Sequence, residues 1–159
     1  MTASRTHANI IAASRDLVER HEGRRQFPYL DTRGKTAIGI GRNLSDRGLA
    51  DDEIEYLFAT DLGIALSICC DLYPAFTGFS PARQAALISM AFNLGRPRLT
   101  GFRGLRVAVN RGNWHGAADE AVNSLWARQI RHRANFARQS LRLILAGGGK
   151  PGGGGKCAD

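Results

Sequence analysis

The run Glu22-Gly23-Arg24-Arg25-Gln26-Phe27-Pro28-Tyr29-Leu30-Asp31-Thr32-Arg33-Gly34-Lys35-Thr36-Ala37-Ile38-Gly39-Ile40-Gly41 decides how the rest of the chain is read. Upstream, Ile10, Ile11, Ser14, Leu17, Val18 and His21 recur at i, i+3/i+4 spacing. They predict a helix over 9–22, with Gly23 as its stop. Downstream, Pro28, Gly34, Gly39 and Gly41 alternate with Tyr, Thr and Ile. That pattern predicts a small β-hairpin or meander over 27–44, turning near Thr32-Arg33-Gly34. Glu22 therefore ends a helix and Asp31 opens a strand. Two carboxylates on different elements can face one another across a cleft, the layout that cleavage of a glycosidic bond requires.

The two have opposed environments. Glu22 sits beside the negative end of its helix, and that dipole together with burial would favour the protonated form a general acid needs. Asp31 lies in a turn beside backbone amides and Arg33, which would keep it ionised. Such a split is how one site runs acid and base chemistry together. Read alone, each has an ordinary alternative: a solvated helix-end glutamate, or a turn aspartate.

From Asp51 the helical period returns. Ile54, Phe58, Asp61, Ala65, Ile68 and Leu72 trace one face of a long helix, and Asp51, Asp52 and Glu53 suit its N-terminus. Ser80-Pro81 supplies an N-cap and a first-turn proline for a helix running to about Asn93, broken by Gly95 and Pro97. Shorter helices are expected over 101–109, 113–125 and 128–145. In the last, Ile130, Ala134, Ala137, Leu141 and Ile144 form the apolar stripe, and Arg128, Arg131, Arg138 and Arg142 face away from it. Arg133 borders the stripe, where a cation either seeks a carboxylate or lays its stem over apolar surface.

The expected fold class is α+β, mostly helical: a small β-sheet lobe over about 25–50 and a helical lobe over about 51–146, joined by a long helix, with the N-terminal helix 9–22 added. Residues 147–159 read as a disordered Gly-rich tail. With 159 residues and 43% hydrophobic composition, one domain is the default.

Lys+Arg of 22 against Asp+Glu of 14 gives a formal charge of +8, which favours anionic partners. The basic helical face is either simply solvated or a surface for the anionic lipid or lipopolysaccharide of a bacterial envelope. No nucleic-acid partner is expected, since zinc-finger, recognition-helix and stacking motifs are lacking. Three cysteines without CxxC spacing argue against a disulfide framework or a zinc site, and favour reduced, buried thiols. No metal or cofactor is implied. No stretch reaches the ~20 apolar residues of a membrane span, and the N-terminus carries no apolar signal region.

The motifs resemble one known family. Glu22-Gly23, the spacing to Tyr29-Leu30-Asp31-Thr32, Gly34 and Ile38-Gly39-Ile40-Gly41 carry the likeness. Asp52-Glu53, Leu57-Phe58 and Asp61 support it, as do Arg83, Ala85, Ser89-Met90, Phe92-Asn93 and Gly95. So do Gly101-Phe102 and, further on, Ser124, Trp126, Gln129 and Arg133-Ala134. Over residues 10–146 the chain resembles the phage-type lysozymes of glycoside hydrolase family 24, the T-even phage lysozyme-like muramidase endolysins.

The resemblance implies a two-lobed lysozyme-like fold. It also implies hydrolysis of the β-1,4 bond between N-acetylmuramic acid and N-acetylglucosamine in peptidoglycan. It gives Glu22 the acid role and Asp31 the second carboxylate, and pairs Arg133 with the glutamate. Asn93, Phe92 and Gly41 fall at substrate-binding positions. Arg42 stands where some relatives have a histidine, and an Arg42–Asp61 ion pair is expected. The departure is Ala37, at a position where the family carries a threonine that positions water. Three explanations compete: a natural variation in which Asp31 alone holds the water, substitution by Thr36 if a bulge at Gly34-Lys35 re-aims it, or an attenuated, engineered enzyme. The implied setting is a monomeric endolysin in the host bacterial cytoplasm, released to the cell wall through a holin. The alternatives are a lytic transglycosylase, which needs no positioned water, and a non-enzymatic protein that binds or disrupts the envelope.

Overall fold

A computed structural model of the chain describes residues 2–123 and Gly147. The expected helix over 128–145, its arginine face and the remainder of the tail lie outside the described residues. The chain divides into two compact units, Met1–Glu55 and Tyr56–Asp159.

The first unit begins with α1 (Thr2–Glu22). It starts seven residues earlier than the apolar periodicity predicted. Thr2–Ala8 contains neither Gly nor Pro, so nothing stops the helix, but it also carries no apolar stripe to announce it. The end falls where expected. Gly23 adopts φ 71°, and its N–H donates to Glu19 O at 2.9 Å, closing the last turn as a left-handed C-terminal residue does.

Three antiparallel strands follow in the order β1-β2-β3: β1 (Arg25–Leu30), β2 (Thr36–Gly39) and β3 (Arg42–Asn43). Tyr29 pairs with Ala37 and Leu30 with Thr36 in regular register, and Arg25 pairs with Gly39. The register shifts between Arg25 and Tyr29. Pro28 lies in that stretch and has no N–H to give a ladder. The irregularity therefore belongs to β1 rather than to Gly34-Lys35, which corrects the sequence expectation. On β3, Asn43 pairs with Ala37 and Arg42 with Ile38, so β2 is central.

α2 (Asp51–Leu72) spans the boundary between the units. Its core contribution comes from its C-terminal half, through Ala65, Ile68 and Cys69, whereas Ile54, Leu57 and Phe58 of the predicted face are exposed. After the short 3-10 turn Phe76–Gly78 come α3 (Pro81–Thr100), α4 (Arg103–Asn110) and α5 (Trp114–Asn123). α3 turns at Gly95 (φ 66°, ψ 169°), where the sequence predicted its break. Ser80 occupies the N-cap position with extended backbone, but its hydroxyl makes no capping bond; Gln84 N–H donates to the Ser80 carbonyl instead.

The core of the second unit is one cluster. Leu87, Met90 and Leu99 of α3 are fully buried with Leu105 and Val109 of α4, and alanines of α5 close the other side. Small residues there let α5 approach closely, and a cluster like this supplies most of a domain's stabilisation. Cys69 is a free thiol inside it, pushed up to about 12 by burial.

Candidate active site

The described candidate residues divide between the units. Glu22, Asp31, Thr36, Ala37, Gly41 and Arg42 belong to Met1–Glu55, while Asp61, Phe92 and Asn93 belong to the second unit. Arg133 lies outside the described residues.

Asp31 heads the turn between β1 and β2. Its N–H donates to Lys35 O at 2.8 Å, and its carbonyl accepts Gly34 N–H at 3.0 Å. One carboxylate oxygen, Oδ1, accepts two more backbone donors, Lys35 N and Arg33 N, each at 2.8 Å. The Lys35 amide is the main reason the carboxyl is held below its ordinary value; the Arg33 amide and the charges of Arg33 and Lys35 add to it. These amide hydrogen bonds favour the ionised form of Asp31.

Glu22 is the last residue of α1. It is exposed rather than buried, and among the described residues its carboxylate makes no hydrogen bond or ion pair. A Cβ built on Gly41 would stand 2.7 Å from Glu22 Oε2, 3.2 Å from Cδ and 3.4 Å from Cγ. The carboxyl arm thus lies along the bare Cα of Gly41.

Ala37 is buried at 3% exposure in the centre of the sheet, with Tyr29 and Asn43 as its cross-strand partners. The ladder is regular through Thr36 and Ala37, so their side chains point to opposite faces. Thr36 is tied through its N–H to Ser45 Oγ at 3.0 Å and through its carbonyl to Leu44 N–H at 2.8 Å. No bulge turns its hydroxyl to the Ala37 face.

Arg42 departs from expectation. Its guanidinium forms a fork on Glu53, with Nη1 to Oε1 at 2.6 Å and Nη2 to Oε2, and its Nε and Nη2 donate to Gly48 O at 3.1 and 2.9 Å. The expected Arg42–Asp61 pair is thereby corrected to Arg42–Glu53. Glu53 also accepts Ala50 N–H at 2.8 Å, the reach-back of a capping box whose N-cap lacks a hydroxyl. The Arg42 hydrogen bond is the main cause that holds the Glu53 carboxyl below its ordinary value. The sequence reading treated Glu53 as a helix-start acid and a family match, not as the partner of Arg42. Its place three residues after Ala50 was the signal of a larger role.

In the second unit Asn93 is exposed, and its Nδ2 donates to Ser89 O at 2.7 Å. Phe92 packs edge-to-face with Phe58, centroids 5.8 Å apart. A cleft of about 410 Å³ between α4 and α5 is lined by Arg103, Arg111, Asn113 and Glu120 among others, and none of the candidate residues borders it. Among the described residues no group of His, Cys, Asp and Glu could hold a metal, and no helix is long and apolar enough to cross a membrane.

A mostly helical α+β chain with a small three-strand antiparallel sheet has the fold of the lysozyme class of protein. The profile of the phage lysozyme family matches residues 19–136, and the chain belongs to that family. It is 26% identical to the pre-baseplate central spike protein Gp5 of Enterobacteria phage T4 over 83% of its own length, and spans 27% of that protein. It is 24% identical to the probable T4-type lysozyme 1 of Dictyostelium discoideum and 23% to its probable T4-type lysozyme 2. Those matches cover 79% of this chain and 91% of each relative. By family the chain is a lysozyme-type hydrolase.

Proposed function

We propose that the chain hydrolyses the β-1,4 bond between N-acetylmuramic acid and N-acetylglucosamine in peptidoglycan, with Glu22 as proton donor and Asp31 as the ionised carboxylate that directs water. The observation that carries this reading is the double backbone hydrogen bond to Asp31 Oδ1, which fixes a charged carboxylate nine residues after a carboxyl at a helix end. Glu22 protonates the departing sugar oxygen. Asp31 stabilises the developing positive charge and, across the ring, orients the water that attacks it. Arg133 is proposed to steady Glu22, and Asn93, with Phe92, to contact the glycan. The formal charge of +8 suits an anionic wall polymer. Action in a host bacterium after holin-dependent release from the cytoplasm belongs to the same reading.

Clearing of purified peptidoglycan tests it. Glu22→Gln should lose at least about 10²-fold in rate, because removing the general acid alone costs that much. Full clearing by the variant would overturn the assignment.

Ala37 favours a second reading. A buried alanine offers no hydroxyl to hold water, and a lytic transglycosylase needs none. Mass spectra of the products separate the two: reducing ends mean hydrolysis, anhydromuramic ends mean transglycosylation.

A further inference from the structure

Gly41 connects β2 to β3 with φ 70°, a conformation that side chains with a Cβ rarely adopt. Space is restricted there as well as backbone. The three nearest atoms to a built Cβ are Oε2, Cδ and Cγ of Glu22, so the acid's arm lies lengthwise on the glycine. Arg42, the next residue, is fixed by four donor contacts to Glu53 and Gly48 O. Glu53 is fixed in turn by Ala50 N–H at the start of α2. The backbone under Glu22 is therefore tied to the first turn of a helix, while Glu22 itself has no polar partner among the described residues.

We propose that Gly41 is a positioning residue for Glu22, and that the Arg42–Glu53 pair holds this seat at the height that gives the carboxyl its reach. The proposal rests on the reading of Glu22 as proton donor. A Cβ at position 41 would push the carboxyl off its seat. Displacement of a reacting group by about 1 Å costs on the order of 10²-fold in rate. The loss should appear in kcat, since the seat lies against the carboxyl arm of the acid.

The second unit supplies a control for the steric clash alone, since Gly104 lacks the positive φ of Gly41. A Cβ on Gly104 would collide with the Glu120 carboxylate, a helix-to-helix contact outside the candidate site. Gly41→Ala and Gly104→Ala thus both force a carboxylate away from a glycine.

Steady-state kinetics on solubilised glycan strands test the proposal, run on the full chain with wild type, Glu22→Gln, Gly41→Ala, Gly104→Ala and Glu53→Ala. Gly41→Ala should lower kcat about 10²-fold with KM within about threefold, and Gly104→Ala should keep wild-type kcat while folded. Glu53→Ala should lower kcat about tenfold. The double variant Gly41→Ala/Glu53→Ala should lose less than the product of the two, because both act through one seat. If Glu22→Gln is inactive while folded Gly41→Ala keeps wild-type kcat, the seat is overturned and the acid assignment stands. If Glu22→Gln is itself active, the acid assignment fails first. Should Gly41→Ala not fold, an unchanged kcat in Glu53→Ala overturns the proposal.

Discussion

Between Met1 and Glu55 the described residues include one buried side chain, Ala37, whereas beyond Tyr56 a continuous apolar cluster runs from Ala65 to Ala121. The first region is held by backbone and charge: a three-strand ladder, the amides on Asp31, the Lys35–Asp46 pair at 2.8 Å and the Arg42–Glu53 fork. The second is held by hydrophobic burial, with Leu87, Met90 and Leu105 wholly out of water. Fixed dipoles place charges at defined points, which an apolar core cannot do. A core, in return, supplies the stability that exposed ion pairs do not.

The largest effect should come from cutting the core. Met90→Ala leaves a cavity where a fully buried side chain stood, and should cost about 2–5 kcal/mol in unfolding free energy. Denaturant titration checks this. A loss below about 1 kcal/mol would mean that the cluster collapses around the gap, and that the two regions differ less than burial indicates.

What was legible in the sequence follows the same division. Glu22 and Gly23 were readable because a helix stop is a one-residue event, and Asp31 because turn amides lie next to it in the chain. The fold class was readable from periodicity. Glu53 as the partner of Arg42 was not, since an ion pair spanning eleven positions leaves no periodic trace. The first turns of α1 were missed because polar helix without a stripe has no pattern. The register shift in β1 was not anticipated, although Pro28, which lacks an N–H, was a signal for it.

Ala37 tests the first region from within. Ala37→Thr restores a hydroxyl and should raise lytic rate on the order of 10²-fold if water was the missing element. The same change adds two heavy atoms to a site 3% exposed, between Tyr29 and Asn43. Overpacking there should cost about 1–3 kcal/mol. Turbidity clearing and thermal unfolding on one preparation read both. Unchanged clearing with lowered stability would show that the site is packing alone.

The smallest effect, and the most local, is set by pH. In the first region Glu19, Asp31 and Glu53 all lie below their ordinary values of 4.5, 3.8 and 4.5. Arg24 is the main cause for Glu19, the Lys35 amide for Asp31 and Arg42 for Glu53. A carboxyl with a depressed folded value adds stability that is present above its unfolded value and lost as pH falls through the folded one. In the second region the sign reverses. Burial raises Cys69 from 9.0 to about 12 and also raises Tyr73, so their contribution is present below the unfolded values and lost as pH rises toward 12. Acid should therefore loosen the Asp31 turn first, and alkali the helical core. Hydrogen exchange at the Arg33 and Lys35 amides, corrected for intrinsic rate, should lose protection as pH falls below the ordinary aspartate value of 3.8. Asp31→Asn keeps the acceptor oxygen but not the titration, so its protection should be flat across that range. If wild type is equally flat, the two amides are held by the ladder rather than by the charge, and the contrast between the regions narrows to their cores.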